Sequence, residues 1–389
     1  MKLADWEQEL AEVMPFVKEV RRKLHRHPEV GGEERWTREF LEETLRGFGL
    51  KTTRFEDTCC VMTIIEGTRP GKCVAIRADI DALPIQEETG LPFASEIPGR
   101  MHACGHDAHM ALALGTAKYL SSHREKFAGT VKFFFEAEEE TRGGARLMAD
   151  QGCLENPRVD WVIGQHMNPR YAAGVLFAKP GFVSGASDEV EITVRGKSCH
   201  GAYPESGVDA IVIAAQVVTA LQTMVSRTIS PLDSAVLTLG TVQGGKACNI
   251  ICGEVRMTGT LRTLSDKTRV MLKERIAQLA SGVAQGMGGD AEVVITPGYG
   301  AVYNDDALYA RMEPLAAELL GEDKIVRREM PSLGVESFGY FQKDTPGVYY
   351  DLGSGVGTAL HTSTFRVDED CLLPGVAMQC ATVLELLKP

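Results

Sequence analysis

From residue 188 to 297 the chain reads strand, helix, strand, strand, helix, strand, and that order constrains the fold more than any other feature. DEVEITVRG alternates apolar and polar residues as a half-buried strand does, and DAIVIAAQVVTALQTMVSR is a helix. SAVLTLGTVQGG and ICGEVRMTGTLRT are strands, TRVMLKERIAQLASGVAQGM is a helix and DAEVVITP a strand. This β-α-β-β-α-β order is the ferredoxin-like split unit. It closes on itself, so residues 182–297 are expected to form a small domain inserted into a larger one built from 1–181 and 298–389.

The flanks have a different texture. An amphipathic helix is expected from the start to about His25 and a second from about Arg35 to Phe48. Strand-like runs follow at CVMTIIEG (60–67) and KCVAIRAD (72–79), then a loop rich in Gly and Pro to residue 103. Next come the helix HDAHMALALGTAKYLSSHREK, the strand GTVKFFFEA, the helix GGARLMADQG and the strand VDWVIGQHM. Strands alternating with helices argue an α/β layered domain with a largely parallel sheet, which residues 298–389 complete. A length of 389 residues also exceeds one ordinary core.

Composition narrows the partners. The net charge of -12, the pI of about 5.3 and the lack of any Lys/Arg cluster disfavour nucleic acid and anionic membrane surfaces. The first residues lack the basic-then-apolar layout of a secretory signal, and no apolar run approaches the ~20 residues of a bilayer crossing, so a cytoplasmic location is expected. Ten scattered cysteines without a CxxC pair read as reduced thiols, most of them small buried hydrophobes. Cys248 and Cys252 fall in a stretch that reads as strand, with no joint role expected.

The chemistry-bearing residues fall at strand ends. Asp79 and Asp81 follow one strand, Glu138, Glu139 and Glu140 follow another, and His166 ends a third; ligand crevices of open α/β sheets lie outside such carboxyl ends. MHACGHDAHM (101–110) adds Cys104, with His102, His106, Asp107 and His109. Carboxylates gathered without cations would repel one another, and divalent metal removes that cost. Carboxylate, imidazole and thiolate together suit zinc, manganese, cobalt or nickel better than calcium or magnesium. Successive side chains of an extended chain point to opposite sides, so one of two adjacent glutamates can bind metal while its neighbour acts as general base. Taken singly, the three glutamates also read as a solvated helix start, His166 as a core histidine, His109 as packing or orienting, and His123 as exposed.

The stretches LHRHPEVGGEE, IRADIDALPIQEETGLPF, MHACGHDAHMALALG, FFFEAEEETRGGARLM, VRGKSCHGAYPESGVDAI, NIICGEVRMTGTLRT and ALHTSTFRVDED resemble, in this order, the M20 metallopeptidases. The closer similarity is to the amidohydrolase branch that cleaves N-acyl amino acids, including hippurate and auxin-conjugate hydrolases. The resemblance covers essentially the whole chain. It implies a di-metal catalytic domain with an inserted ferredoxin-like lid that forms a homodimer. It implies Cys104, His106, Glu140, His166 and His361 as ligands of two divalent ions, Glu139 as general base, and Asp81 as the residue orienting a metal-bound histidine. Asp79 stands where most of the wider family has a histidine ligand. His200, Asn249 and Arg262 match positions that polarise the scissile carbonyl and grip the substrate carboxylate across a dimer; Arg262 could instead pair with an acid of its own sheet.

Three residues depart from the branch pattern. Glu138 replaces an alanine and leaves a one-residue ambiguity in the acid pair. Cys199 in SCHG replaces a more glycine-rich turn. Ser337 in GVESFGYF stands where relatives carry aspartate, which bears on acyl-side or leaving-group specificity. The expected function is metal-dependent hydrolysis of N-acyl amino acids to a carboxylic acid and a free amino acid. A dipeptidase and an acetyl-diaminopimelate deacetylase of the same fold stay open beside it. So do a cysteine hydrolase with Cys104 as nucleophile and His106 or His109 as base, and a non-catalytic metal- or peptide-binding protein.

Overall fold

The computed structural model describes residues 1–388; residue 389, the last of the expected 298–389 segment, lies outside them. The chain divides into two compact units. The larger comprises Met1–Val183, Tyr303–Met330 and the stretch from Ser337 onward; the smaller comprises Ser184–Val302 and Pro331–Glu336.

The larger unit is built on an eight-stranded sheet. Its order is Thr52–Arg54, Val61–Glu66, Thr130–Glu136, Cys73–Asp79, Trp161–Asn168, Gly347–Gly353, Leu176–Ala178 and Ile325–Arg327. The strands from Thr130–Glu136 to Gly347–Gly353 run parallel. Outside them the pairing is mixed, because short connections such as that between Thr52–Arg54 and Val61–Glu66 can only join antiparallel strands. Parallel strands are covered on both faces and therefore mostly apolar; every residue of Cys73–Asp79 is buried, Arg77 and Asp79 included. Helix His106–Ser122 packs on this centre and against Leu372–Leu386, and both are buried over nearly their whole length.

The single N-terminal helix expected to His25 is two helices, Leu3–Glu9 and Met14–Arg26. Pro15 is the reason. It has no N–H to donate and its ring clashes with the carbonyl four residues back, so it is tolerated only in a first turn. Lys132 lies fully buried in the strand Thr130–Glu136, where its Nζ donates to the carbonyls of Cys153 and Glu155 at 2.9 and 2.6 Å.

The smaller unit holds a four-stranded antiparallel sheet in the order Asp290–Pro297, Ala186–Arg195, Glu254–Thr263, Ala235–Gly244. Helices Ala210–Arg227 and Asp266–Gly286 fill its core with Ile213, Val217, Leu221, Leu272 and Ile276 against Val190, Ile192, Met257 and Leu261. Asp209 and Ser265 start the helices by accepting main-chain N–H groups. Ala210–Arg227 is long and apolar enough for a bilayer crossing by length and composition only, and its Ile213–Val217–Leu221 face lies in this core. Cys248 and Cys252 sit between strands rather than in one. The preceding strand stops at Gly244, and Gly245, at φ +83°, turns the chain away. Segment Pro331–Glu336 falls in this unit, with the Gly185 N–H donating to the Gly334 carbonyl at 3.0 Å.

Candidate metal centre

The parallel strands deliver their carboxyl ends to one side of the larger unit. Cys73–Asp79 ends at Asp79, Thr130–Glu136 leads into Glu138–Glu140, Trp161–Asn168 carries His166, and the loop after Gly347–Gly353 carries His361. Cys104 and His106 enter from the start of helix His106–Ser122. Gly105 makes this close entry possible: it holds φ +88°, and a Cβ there would stand 3.0 Å from the Met167 side chain.

All five residues expected as ligands come together. The donor atoms of Cys104, His106 and His166 lie within 4.8 Å of one another, and so do those of Cys104, Glu140 and His361. Cys104 belongs to both groups. His106, Glu139 and Glu140 form a third group on the same limit, and Asp79, His106 and His109 a fourth.

Second partners orient the imidazoles. His106 Nδ1 is 2.8 Å from the Asp81 carbonyl oxygen and 3.2 Å from Asp81 Oδ1. His166 Nδ1 donates to the Met167 carbonyl at 2.8 Å, so Nε2 faces the Cys104 sulfur at 3.3 Å. Asp81 Oδ2 accepts the Glu140 N–H at 3.0 Å. This is how metal-binding histidines are held, one nitrogen tied to the protein and the other presented to the ion. The fit to a cation shows in what stays open: His106 Nε2 and Glu140 Oε1 are buried without a hydrogen-bond partner, although such atoms cost stability unless something occupies them. Glu140 Oε1 stands 3.0 Å from His361 Nε2 without hydrogen-bond geometry. Thiol, imidazole and carboxylate donors in these groups suit a divalent transition metal.

Charges inside the cluster are strongly coupled. Burial pushes the Cys104 thiol well above its ordinary range, against the pull of His106. Burial opposes ionisation of Glu140 as well, but His361 and His106 outweigh it and bring the carboxyl down to about 2. His106 is raised against the cost of burial by Asp79 and Cys104.

The adjacent glutamates are not in extended chain. Glu138 takes φ +62°, and its carbonyl accepts the Gly143 N–H at 2.8 Å, so Glu138–Gly143 is a tight turn. The turn, rather than strand alternation, separates Glu139 from Glu140. Glu138 itself points away, bound by Arg142 Nε and Nη2 at 2.6 and 2.9 Å. Left-handed backbone is costly for a residue with a side chain, and it occurs at both Glu138 and His361 (φ +60°).

Behind the cluster lies a buried network that the sequence reading passed over. Arg77 donates to Glu136 Oε2 from Nε and to Asp79 Oδ2 from Nη1, each at 2.7 Å, and to Ser337 Oγ from Nη2 at 2.9 Å. The Ser337 hydroxyl donates to Glu136 Oε1 at 2.6 Å, and the Ser337 N–H to Glu139 Oε1 at 3.2 Å. His109 Nδ1 donates to Asp79 Oδ1 at 2.5 Å and Nε2 accepts the Met167 N–H at 2.9 Å, so both ring nitrogens are engaged by the protein. Ser337, expected to bear on specificity, is thus fully buried beneath Glu139. The signal was available: Arg77 and Glu136 are charged residues inside strands buried on both faces, where charges must be paired.

Asp107 also supports from below. It binds His25 Nδ1 at 2.8 Å and Arg21 Nε at 3.0 Å, while His25 Nε2 reaches Glu87 at 3.2 Å. Burial depresses His102 to about 3, and among the described residues neither of its ring nitrogens has a hydrogen-bond partner.

The remaining expected residues belong to the smaller unit. His200 and Asn249 are exposed and near each other: His200 bridges to Ile250, and the Gly201 N–H donates to the Asn249 carbonyl at 2.8 Å. Arg262 lies in Glu254–Thr263 opposite Ser187. The neighbouring Asp188 is taken by Arg269 and Lys273, and among the described residues Arg262 has no acidic partner.

Comparison with known proteins agrees with this geometry. Residues 75–385 match Peptidase family M20/M25/M40. The chain is 38% identical over 354 residues to an N-acetyldiaminopimelate deacetylase of Bacillus subtilis, covering 91% of this chain and 94% of that one. It is 37% identical over 361 residues to an N-acetylcysteine deacetylase of the same organism, covering 91% and 92%. Among solved structures it superposes on a Bacillus subtilis protein described as a dinuclear metal-binding peptidase of the M20 family, with TM-score 0.84, 31% identity and 97% and 99% coverage. The chain therefore belongs to peptidase family M20/M25/M40, as a hydrolase of amide bonds.

Proposed function

We propose that the protein hydrolyses the amide bond of small N-acyl amino acids, releasing a carboxylic acid and a free amino acid, with two divalent metal ions at the strand ends. The observation that carries this reading is Cys104, shared between the group with His106 and His166 and the group with Glu140 and His361. A residue whose donor atom is common to two donor sets is what a paired-metal centre requires. The names of the two deacetylase relatives favour acetyl as the acyl group, and an acetylated diamino acid is the second reading they support.

Cys104, His106, Glu140, His166 and His361 would hold the two ions, which would supply polarisation of the acyl carbonyl and a lowering of the pKa of water from about 15.7 towards 7. Glu139 takes the water proton on its carboxylate and returns it to the departing amino nitrogen. Asp81 keeps His106 in the tautomer that presents Nε2 and holds the Glu140 main chain in place. His200 donates to the developing oxyanion, and Asn249 and Arg262 bind the substrate carboxylate. The smaller unit supplies the homodimer contact.

The test is a panel of N-acyl amino acids and dipeptides assayed with zinc, manganese, cobalt or nickel restored to metal-free enzyme. Turnover of N-acetyl amino acids by wild type, lost in Glu139→Ala at unchanged metal content, is the expected result. Dipeptides cleaved in preference to every N-acyl amino acid would overturn the substrate assignment.

A further inference from the structure

We propose that Ser337 is a positioning residue for Glu139: its hydroxyl, tied to Arg77 and Glu136, fixes the main-chain N–H that aims the Glu139 carboxylate. This rests on the reading of Glu139 as general base.

Glu139 needs an external anchor. It sits in the turn that begins at left-handed Glu138, and the main chain of its neighbour Glu140 is tied elsewhere, to Asp81. The Ser337 N–H, 3.2 Å from Glu139 Oε1, comes from a segment distant in sequence. A main-chain donor is only as fixed as the segment that carries it, and that segment is a single 3-10 turn, Ser337–Tyr340. Its apolar end is held by Phe338, which is fully buried.

Its polar end carries the Ser337 hydroxyl, which accepts from Arg77 Nη2 and donates to Glu136 Oε1. Neither partner can swing. Arg77 is also bound to Asp79, and Glu136 Oε1 also accepts the Ala145 N–H at 2.7 Å. Hydrogen bonds to charged groups in a dry interior are directional and strong. The serine thus connects a rigid ion-pair layer to the carboxylate that must face water and substrate.

Ser337→Ala keeps the N–H and removes its anchor. A misplacement of about 1 Å can cost on the order of 100-fold in rate, so kcat should fall about tenfold or more while KM and bound metal stay within about twofold. Ser337→Cys keeps the volume with a weaker donor and should fall between wild type and alanine. In a Glu139→Gln background, Ser337→Ala should change the residual rate by less than about twofold, because groups acting through one another are not additive. An equal loss in both backgrounds, a raised KM, lost metal or an unchanged kcat overturns the proposal. If the alanine variant does not fold, the cysteine variant is judged by the same criteria. A Glu139→Gln enzyme as active as wild type removes the base reading and this proposal with it, and does so in the arm that leaves Ser337 intact.

Discussion

Two polar layers at the strand ends are built on opposite terms. In the upper one, His106 Nε2 and Glu140 Oε1 are buried without a hydrogen bond among the described residues, although the His106 Nδ1 and the Glu140 N–H are tied to Asp81. In the lower one, Arg77 alone joins Asp79, Glu136 and Ser337. A buried polar atom without a partner costs about 1–3 kcal/mol, a cost that a bound cation would remove at these two atoms. The open layer is where a cation belongs, and the closed layer keeps it open by holding its residues apart.

The largest effect should come from emptying the upper layer. Thorough chelation should abolish turnover, and one of the four divalent metals should restore it. The same treatment should lower the Tm, since a ligand bound only by the native state stabilises it by mass action. Activity that survives chelation would break the comparison and return the thiol to consideration.

Breaking the lower layer should cost stability first. Arg77→Met leaves Asp79 and Glu136 facing each other in the interior without their cation. Removing one partner of a buried charge network costs about 3–5 kcal/mol, readable as a shift of the urea midpoint. A loss below about 1 kcal/mol would mean that the layer is dispensable to the fold.

The join between the layers is weaker. Asp81→Asn puts an amide where Oδ2 receives the Glu140 N–H and Oδ1 neighbours His106 Nδ1. Changes in such outer partners cost about 10–100-fold in metal affinity. Calorimetric titration of the metal-free variant should show that loss with an unchanged urea midpoint.

The two layers were not equally legible. Strand ends placed Asp79, the Glu138–Glu140 run and His166 on one side, and the order β-α-β-β-α-β described the small unit's sheet before its pairing was seen. His361 and the small-unit residues rested on resemblance, because a loop residue has no periodicity to locate it. Arg77, Glu136 and Ser337 were missed for a different reason. Nothing local shows that a serine at 337 reaches an arginine at 77, since the contact exists only once the sheet has formed. What local sequence did offer was a charge in CVAIRAD and another in FFFE, strands with no solvent face on which to place them. Pro15 was equally visible in MPF, and it split a helix that hydrophobic periodicity alone had joined.

The smallest effect concerns a carboxyl beside the turn. Glu34 is fully buried, accepts the Glu138 N–H on Oε1 at 2.8 Å and, among the described residues, has no hydrogen-bond partner for Oε2. Burial, with Asp81 and Glu138 nearby, raises its pKa to about 8. From the ordinary glutamate range up to about 8 the folded chain therefore holds a proton that the unfolded chain has lost. Stability from this group is complete at low pH and drains away as pH rises through that window, by at most about 1.4 kcal/mol per unit. Glu34→Gln keeps an oxygen for the Glu138 N–H and cannot ionise, so its stability should decline less between pH 6 and pH 9 than that of wild type. Parallel curves of urea midpoint against pH for the two proteins would show that Glu34 is charged across the whole range. The turn carrying Glu138–Glu140 would then tolerate one more carboxylate than its buried surroundings allow.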